Sequence, residues 1–244
     1  MKIALITDTH FGARGDHPVF NEFFFKFWEN EFFPYLEKND IKTVIHLGDI
    51  VDRRRYINFT TLHSFRKRFI KKFQDLGVEL HVIVGNHDVP YRNTNEVNAM
   101  EELFSNQENL KIYSEACDIT LDGVSLAMIP WINHSNIESV KDFIKSSKSD
   151  VCFGHFEISG FEMDRGNVCH DGLDRTLFNK FEMVFSGHFH HRSSDGHITY
   201  LGNTYEMTWA DYNDRRGFHV FDTSTRNLEF IENPHKMFHK IVYD

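Results

Sequence analysis

The stretch Lys2-Ile3-Ala4-Leu5-Ile6-Thr7-Asp8-Thr9-His10 runs apolar without interruption and then stops on two residue types that coordinate metals. A short run without polar alternation reads as a strand buried on both faces. The same plan recurs at Val44–Leu47, which stops at Gly48-Asp49, and at Leu80–Val84, which stops at Gly85-Asn86-His87-Asp88. Between these strands lie two helical patterns. Val19–Glu37 carries Phe20, Phe24, Phe27 and Trp28 at helical spacing, and Phe59–Leu76 carries Leu62, Phe65, Phe69 and Phe73. Strand, helix, strand, helix, strand predicts a parallel sheet with right-handed crossovers, its polar groups delivered at the carboxyl ends of the strands.

The second half holds closer strands. Ile119–Leu121 and Val124–Ile129 flank Asp122-Gly123, a hairpin signal, and Val151–Phe153, Met183–Phe185, His197–Leu201, Phe218–Phe221, Leu228–Ile231 and Lys240–Val242 follow. The expected fold is α/β, two stacked mixed β-sheets flanked by helices. No internal repeat or Pro-rich linker divides the chain, so residues 1–244 are expected to form one domain.

Composition narrows the function. Apolar content of 41% and charged content of 26% are those of a soluble globular chain. The three cysteines, Cys117, Cys152 and Cys169, have neither disulfide-framework nor zinc-site spacing. The N-terminal apolar run is too short for a secretory signal and no run approaches a membrane span, so a cytoplasmic protein is expected. A formal charge of -9 argues against a generally basic, nucleic-acid-coating surface but not against a local basic site, and bound cations would cancel carboxylate charge there. Histidine, at 16 residues, is the informative type. It is the commonest metal ligand and an acid/base near neutral pH.

Five fragments place ligand-type residues after strands: Asp8-Thr9-His10, Gly48-Asp49, Gly85-Asn86-His87-Asp88, Gly154-His155 and Gly187-His188-Phe189-His190. A lone Gly-His or Asp-x-His is usually a capped turn or a surface histidine. Five in order, each after an apolar run, point to one shared metal site. Together they resemble the five signature motifs of the calcineurin-like metallophosphoesterase superfamily. The resemblance implies that Asp8, His10, Asp49 and His190 hold one metal and that Asp49, Asn86, His155 and His188 hold another, with Asp49 bridging. Mixed imidazole and oxygen donors suit manganese, iron or zinc, and the family makes Mn2+ the first choice. In such sites two divalent ions roughly 3.5–4 Å apart clamp an in-line displacement at phosphorus. His87, beside a ligand without being one, is expected to protonate the leaving oxygen, with Asp88 orienting its ring.

A closer resemblance is to SbcD-type nuclease subunits of double-strand-break repair and to phage recombination endonuclease subunits. It is carried by 48–54, 83–88, Ile129-Pro130-Trp131, 154–161, 186–190 and Arg216-Gly217-Phe218. It implies a manganese-dependent DNA endonuclease and 3′-to-5′ exonuclease, paired with an SbcC-type ATPase and forming a homodimer. That family continues into a DNA-capping domain and an ATPase-binding segment, which these 244 residues are expected to lack. Some cellular members carry histidine where this chain has Asp52.

Local charge offers DNA contacts at Arg53, Arg54, Arg55 and Tyr56, directly after the bridging aspartate, and at Arg92, Asn93 and Arg192. A salt-bridged loop is the plain alternative for the arginine run. Arg66-Lys67-Arg68 with Lys71-Lys72 reads as the solvated face of a helix, and the phenylalanine stripe of the first helix as core, with a partner interface as its alternative. His170 reads as a hydrogen-bonded loop residue and Trp131 as cleft wall or core. The competing functions are a phosphodiesterase or phosphatase acting on nucleotides or phosphoproteins, and a non-catalytic scaffold. The retained ligand set argues against the scaffold.

Overall fold

In a computed structural model describing residues 1–243, the run Lys2–Ile6 is β1, the third strand of a six-stranded sheet. The strands β2 (Thr43–His46), β3 (Glu79–Ile83) and β4 (Leu110–Tyr113) continue from it in parallel. On its other side β13 (Gly217–Asp222) and then β14 (Leu228–Glu232) pair antiparallel. A second six-stranded sheet contains β5 (Cys117–Leu121), β6 (Val124–Ile129), β7 (Val151–His155), β10 (Met183–Gly187), β11 (Ser193–Ser194) and β12 (Ile198–Tyr200), in the order β11-β12-β10-β7-β6-β5. A small hairpin of β8 (Glu162–Asp164) and β9 (Asn167–Val168) stands apart from both.

Side-chain alternation along a strand explains the layers. Ile3 and Leu5 of β1 join Phe153, Phe185 and Phe221 in an apolar layer between the sheets, while Ala4 and Ile6 join the aromatic layer under the helices. A third apolar cluster, with Phe156, Phe178 and Tyr200, covers the outer face of the second sheet. The result is the expected sandwich, each sheet buried on both faces, which is why its central strands read as uninterrupted apolar runs.

The first crossover helix, α1, spans 18–38 and contains a single π-turn, Trp28–Phe32. Pro34 gives the reason: it has no N–H, and in a regular helix its ring would meet the carbonyl four residues earlier. The amide of Phe33 bonds instead to the Trp28 carbonyl, five residues back, which widens the helix at that point. The second, α2, spans 59–75 and also carries a π-turn, Arg66–Ile70, which no proline explains. The phenylalanine stripe is core: Phe24, Phe27 and Trp28 are buried against Phe69 and Tyr205. The basic run of α2 is the solvated face expected, with Arg66, Lys67, Lys71 and Lys72 exposed; Arg68 alone turns aside, pairing with Glu22 and Glu29 of α1 and lying over Phe25.

Several elements were not read from sequence: β4, the hairpin β8–β9, β11, and the helices α3 (Ala99–Phe104) and α4 (Ile137–Ser146). The expected strand Lys240–Val242 is corrected, since those residues are irregular. The segment leading to it is tied to a side chain instead of a sheet edge, with the amides of Met237 and Phe238 donating to Glu206 Oε2, and Ile241 and Val242 stay 70% and 77% exposed. No helix among the described residues is long and apolar enough to cross a membrane.

Burial alone separates two phenylalanines of α2. Phe69 is fully buried among Phe11, Trp28, Phe65 and Phe73, whereas Phe59 is 87% exposed. Phe69→Ala is expected to cost about 3–5 kcal/mol in denaturant unfolding, and Phe59→Ala to stay within about 0.5 kcal/mol of the parent.

Candidate metal centre

All seven residues expected to hold metal meet at the carboxyl ends of β1, β2, β3, β7 and β10. Three groups have ligand atoms lying within 4.8 Å of one another: Asp8, His10 and His190; His10, Asp49 and His87; and Asp49, His155 and His188. Asp49 is common to two of them, the position expected of a bridging carboxylate. His10 Nε2 lies 3.2 Å from His190 Nε2, 4.0 Å from Asp8 and 3.8 Å from Asp49. On the other side, Asn86 Oδ1 is 2.9 Å from both His155 Nε2 and His188 Nδ1, and His155 Nε2 is 3.3 Å from Asp49 Oδ2.

The local backbone shows what the convergence costs. Asp8, His10, Asp49 and His188 all have positive φ, a conformation non-glycine residues rarely adopt and which persists where surrounding structure over-determines it. Glycine makes the approach possible. A Cβ on Gly48 would lie 2.5 Å from His155 Nδ1, and one on Gly187 would meet the Thr7 hydroxyl 2.1 Å away.

The donor chemistry fits divalent metal. His155 Nδ1 donates to the Leu47 carbonyl at 2.7 Å, which leaves Nε2 as the nitrogen facing Asp49 and Asn86, an arrangement typical of metal-ligating histidine. Burial, then the charge of His155, pushes the pKa of His188 down to about 3, and burial likewise holds His10 well below the usual range. Both are therefore neutral, as ligands must be. Burial would lower His155 too, but the adjacent Asp49 carboxylate raises it to about 9. Burial would raise Asp49, but His155, His10 and His87 together hold it well below the usual carboxylate range.

His87 lies beside this cluster as expected, its ring 4.7 Å from that of His10 and its amide donating to Asp49 Oδ1 at 2.7 Å. Its expected partner is corrected. Asp88 does not touch the His87 ring: its carboxylate is buried and accepts from the amides of Asp49, Ile50, Val51 and Gly85, at 2.9 to 3.2 Å. The His87 ring is held instead by the carbonyl of Asp52, 2.5 Å from Nδ1. The Asp52 carboxylate lies 3.6 Å from His10 Nδ1, beyond hydrogen-bond distance, so among the site histidines it is His87 that Asp52 holds.

Around the rim, Arg53 pairs with Asp16 at 2.9 Å and lies over Tyr56, while Arg55, Tyr56, Arg92 and Asn93 are exposed. Arg54 is half-buried near Arg92, and burial followed by that neighbour's charge lowers its pKa. Arg192 stacks on Phe230 of β14, 4.2 Å from the ring centroid, which sets its guanidinium against the first sheet. His170 is exposed, and Trp131 is half-buried with its ring 5.2 Å from His188. Sequence reasoning missed Asp52 as a contact and also missed Arg216, a buried guanidinium that holds the carbonyl of His190 and the side chains of Asn203 and Asp211. The Arg216-Gly217-Phe218 match was the available signal.

The chain is similar to known proteins in sequence and in fold. Over 243 residues the chain is 35% identical to a protein named exonuclease subunit 1 of Enterobacteria phage T4, covering 100% of this chain and 71% of that one. Its fold is similar to that of a dimetal phosphatase from Danio rerio (TM-score 0.55, 12% identity, 90% of this chain and 91% of the other). An archaeal phosphodiesterase aligns with 96% of this chain and all of its own length at 18% identity and a TM-score of 0.47. The family model described as calcineurin-like phosphoesterase matches residues 1–192, which include every one of the converging ligands. The chain thus belongs to the calcineurin-like phosphoesterase family and is a metal-dependent phosphoesterase.

Proposed function

We propose that the chain is the nuclease subunit of a DNA-processing complex, hydrolysing phosphodiesters at two divalent ions, with Mn2+ first among them. Asp8, His10, Asp49 and His190 would hold one ion, and Asp49, Asn86, His155 and His188 the other. The observation that carries a paired site is the position of Asp49 between the two ligand groups, its carboxylate 3.8 Å from His10 Nε2 on one side and 3.3 Å from His155 Nε2 on the other. The nuclease reading draws on similarity along the whole chain to a protein named as an exonuclease subunit. The bound ions would supply Lewis-acid activation of water and charge neutralisation at phosphorus.

The chain's own groups do the rest. With Nδ1 of His87 committed to the Asp52 carbonyl, Nε2 is left to carry a proton to the leaving oxygen. Asp88 holds the turns that carry Asp49 and His87 in fixed relation, a positioning role. Arg53, Arg54, Arg55, Tyr56, Arg92 and Asn93 would meet the DNA backbone and bases beside the centre. The name of the phage relative as a subunit supports a partner chain, for which an SbcC-type ATPase is proposed; a homodimer and action in the cytoplasm are further parts of the same proposal.

A labelled DNA duplex incubated with the protein and Mn2+ tests this. Cleavage is expected, falling at least about 100-fold in His87→Ala while metal binding persists. Turnover of small phosphodiesters or phosphomonoesters but not of DNA contradicts the nuclease reading.

Proton linkage gives a second test. His155, with its pKa raised to about 9, carries a proton in the metal-free protein at neutral pH and must lose it on coordinating. Metal affinity should therefore rise by about tenfold per pH unit through neutrality and level off above about pH 9. Calorimetry in buffers of different ionisation enthalpy should register the released proton, and an affinity flat between pH 6 and 8 would contradict it.

A further inference from the structure

The chain leaving β2 passes Asp49 and Asp52 and then, together with α3, encloses a cleft of about 200 Å³. Its lining is mostly apolar, with Tyr56, Ile57, Pro90, Val97, Ala99 and Leu103 among its walls. Ala99, Glu102 and Leu103 stand at helical spacing and so give one face of α3 to it. The cleft is also tied to the metal centre. Val51 and Pro90, both in the lining, follow Asp49 and Asp88 by two residues, and the amide of Ala99 donates to the Asp88 carbonyl at 2.8 Å. The two turns that carry Asp49 and His87 thus also carry its walls.

Its rim is cationic in a chain whose formal charge is -9. Arg53, Arg54 and Arg55 all line the cleft, and of the three only Arg53 makes an ion pair among the described residues, with Asp16 at 2.9 Å. Arg54 lies within range of the charges of both Arg92 and Asp49, close to the cleft and the centre alike. Tyr56 is 64% exposed, yet its ring is held, since the guanidinium of Arg53, anchored by Asp16, lies 5.1 Å from the centroid. Val97, also in the lining, is 44% exposed. The single carboxylate of the lining, Glu102, is exposed and makes no ion pair among the described residues.

We propose that this cleft seats one unpaired base of the DNA strand held at the metal centre, which makes frayed or single-stranded DNA the preferred substrate class. The inference rests on the nuclease reading above. An occupant has to be apolar where it meets Tyr56 and Val97 and anionic where it meets the arginines, and a nucleotide joins the two in one unit. Stacking on Tyr56 asks for no particular base, and Glu102 can accept from an exocyclic amine. The volume is below the roughly 300–1,000 Å³ of sites for drug-sized molecules, which suits a single ring system and not a base pair. A base inside a duplex reaches the cleft only after unstacking and unpairing, a cost that an unpaired base does not carry. An apolar side chain of another protein would fill the walls but leave Arg54 and Arg55 without a counter-charge.

Cleavage rates with Mn2+ on a duplex carrying short unpaired ends, and on the same duplex with the unpaired nucleotides made abasic, test the cleft. Backbone charge is identical in the two, so the ratio of their kcat/KM values reads the base alone. That ratio should be about ten in the parent protein, mostly through KM, and fall to about one in Val97→Trp, which fills the cleft. Tyr56→Ala should lower it as well. Both side chains are exposed, so neither variant threatens the fold. A parent ratio near one, or a ratio that neither variant lowers, overturns the proposal. If neither variant lowers it while Val97→Trp breaks up an oligomer in sedimentation, the cleft is a protein contact instead. Hydrolysis of bis(p-nitrophenyl) phosphate without cleavage of either duplex fails the nuclease reading itself, whereas cleavage of both duplexes at one rate fails only the base cleft.

Discussion

The carboxylate of Asp88 holds together the two turns on which the metal centre is built. By accepting from the amides of Asp49, Ile50, Val51 and Gly85, it ties the chain leaving β2 to the chain leaving β3. Asp49 returns the bond by accepting from the His87 amide. Each turn thus satisfies buried donors of the other with a carboxylate, the stronger class of hydrogen bond. The side chain of Asp49 is left aimed at His10 and His155, and the ring of His87 at the same region. A buried carboxylate that would be costly alone is supported by amides whose own donors would otherwise go unmet.

That reciprocity supports a site under strain. Four candidate ligands hold positive φ, and the glycines at 48 and 187 leave no room for a Cβ. The rigid frame is the sandwich itself: an aromatic layer under α1 and α2 and an apolar layer between the sheets fix the strand ends, so the short polar turns need not hold themselves. Asp52 and Arg216 then act on the site from behind, one bonding the ring of His87 and the other the carbonyl of the candidate ligand His190.

The sequence disclosed the fold wherever burial dictates pattern. Uninterrupted apolar runs marked the central strands, helical phenylalanine spacing marked α1 and α2, and Asp122-Gly123 marked the turn between β5 and β6. Short or edge elements such as β4 and β11 gave no such pattern, since a few half-exposed residues pack too little to require one. Lys240–Val242 had strand-like residues without a neighbouring strand to pair with. The ligand set was legible because chemistry restricts residue type at each position. Partner choice was not, because Asp88, Arg192 and Asp52 could each reach several groups from their place in the chain. Asp88 turned to backbone amides, Arg192 to Phe230, and Asp52 used its carbonyl.

The central claim is that these strand ends build one paired centre around Asp49. Metal stoichiometry of Mn2+-loaded, desalted protein, measured together with its electron paramagnetic resonance spectrum, tests it most directly. The account predicts two ions per chain with the signature of an exchange-coupled pair, and one ion with no coupling when Asp49 is replaced by Ala. A single ion in the parent protein, or two that show no coupling, would contradict it.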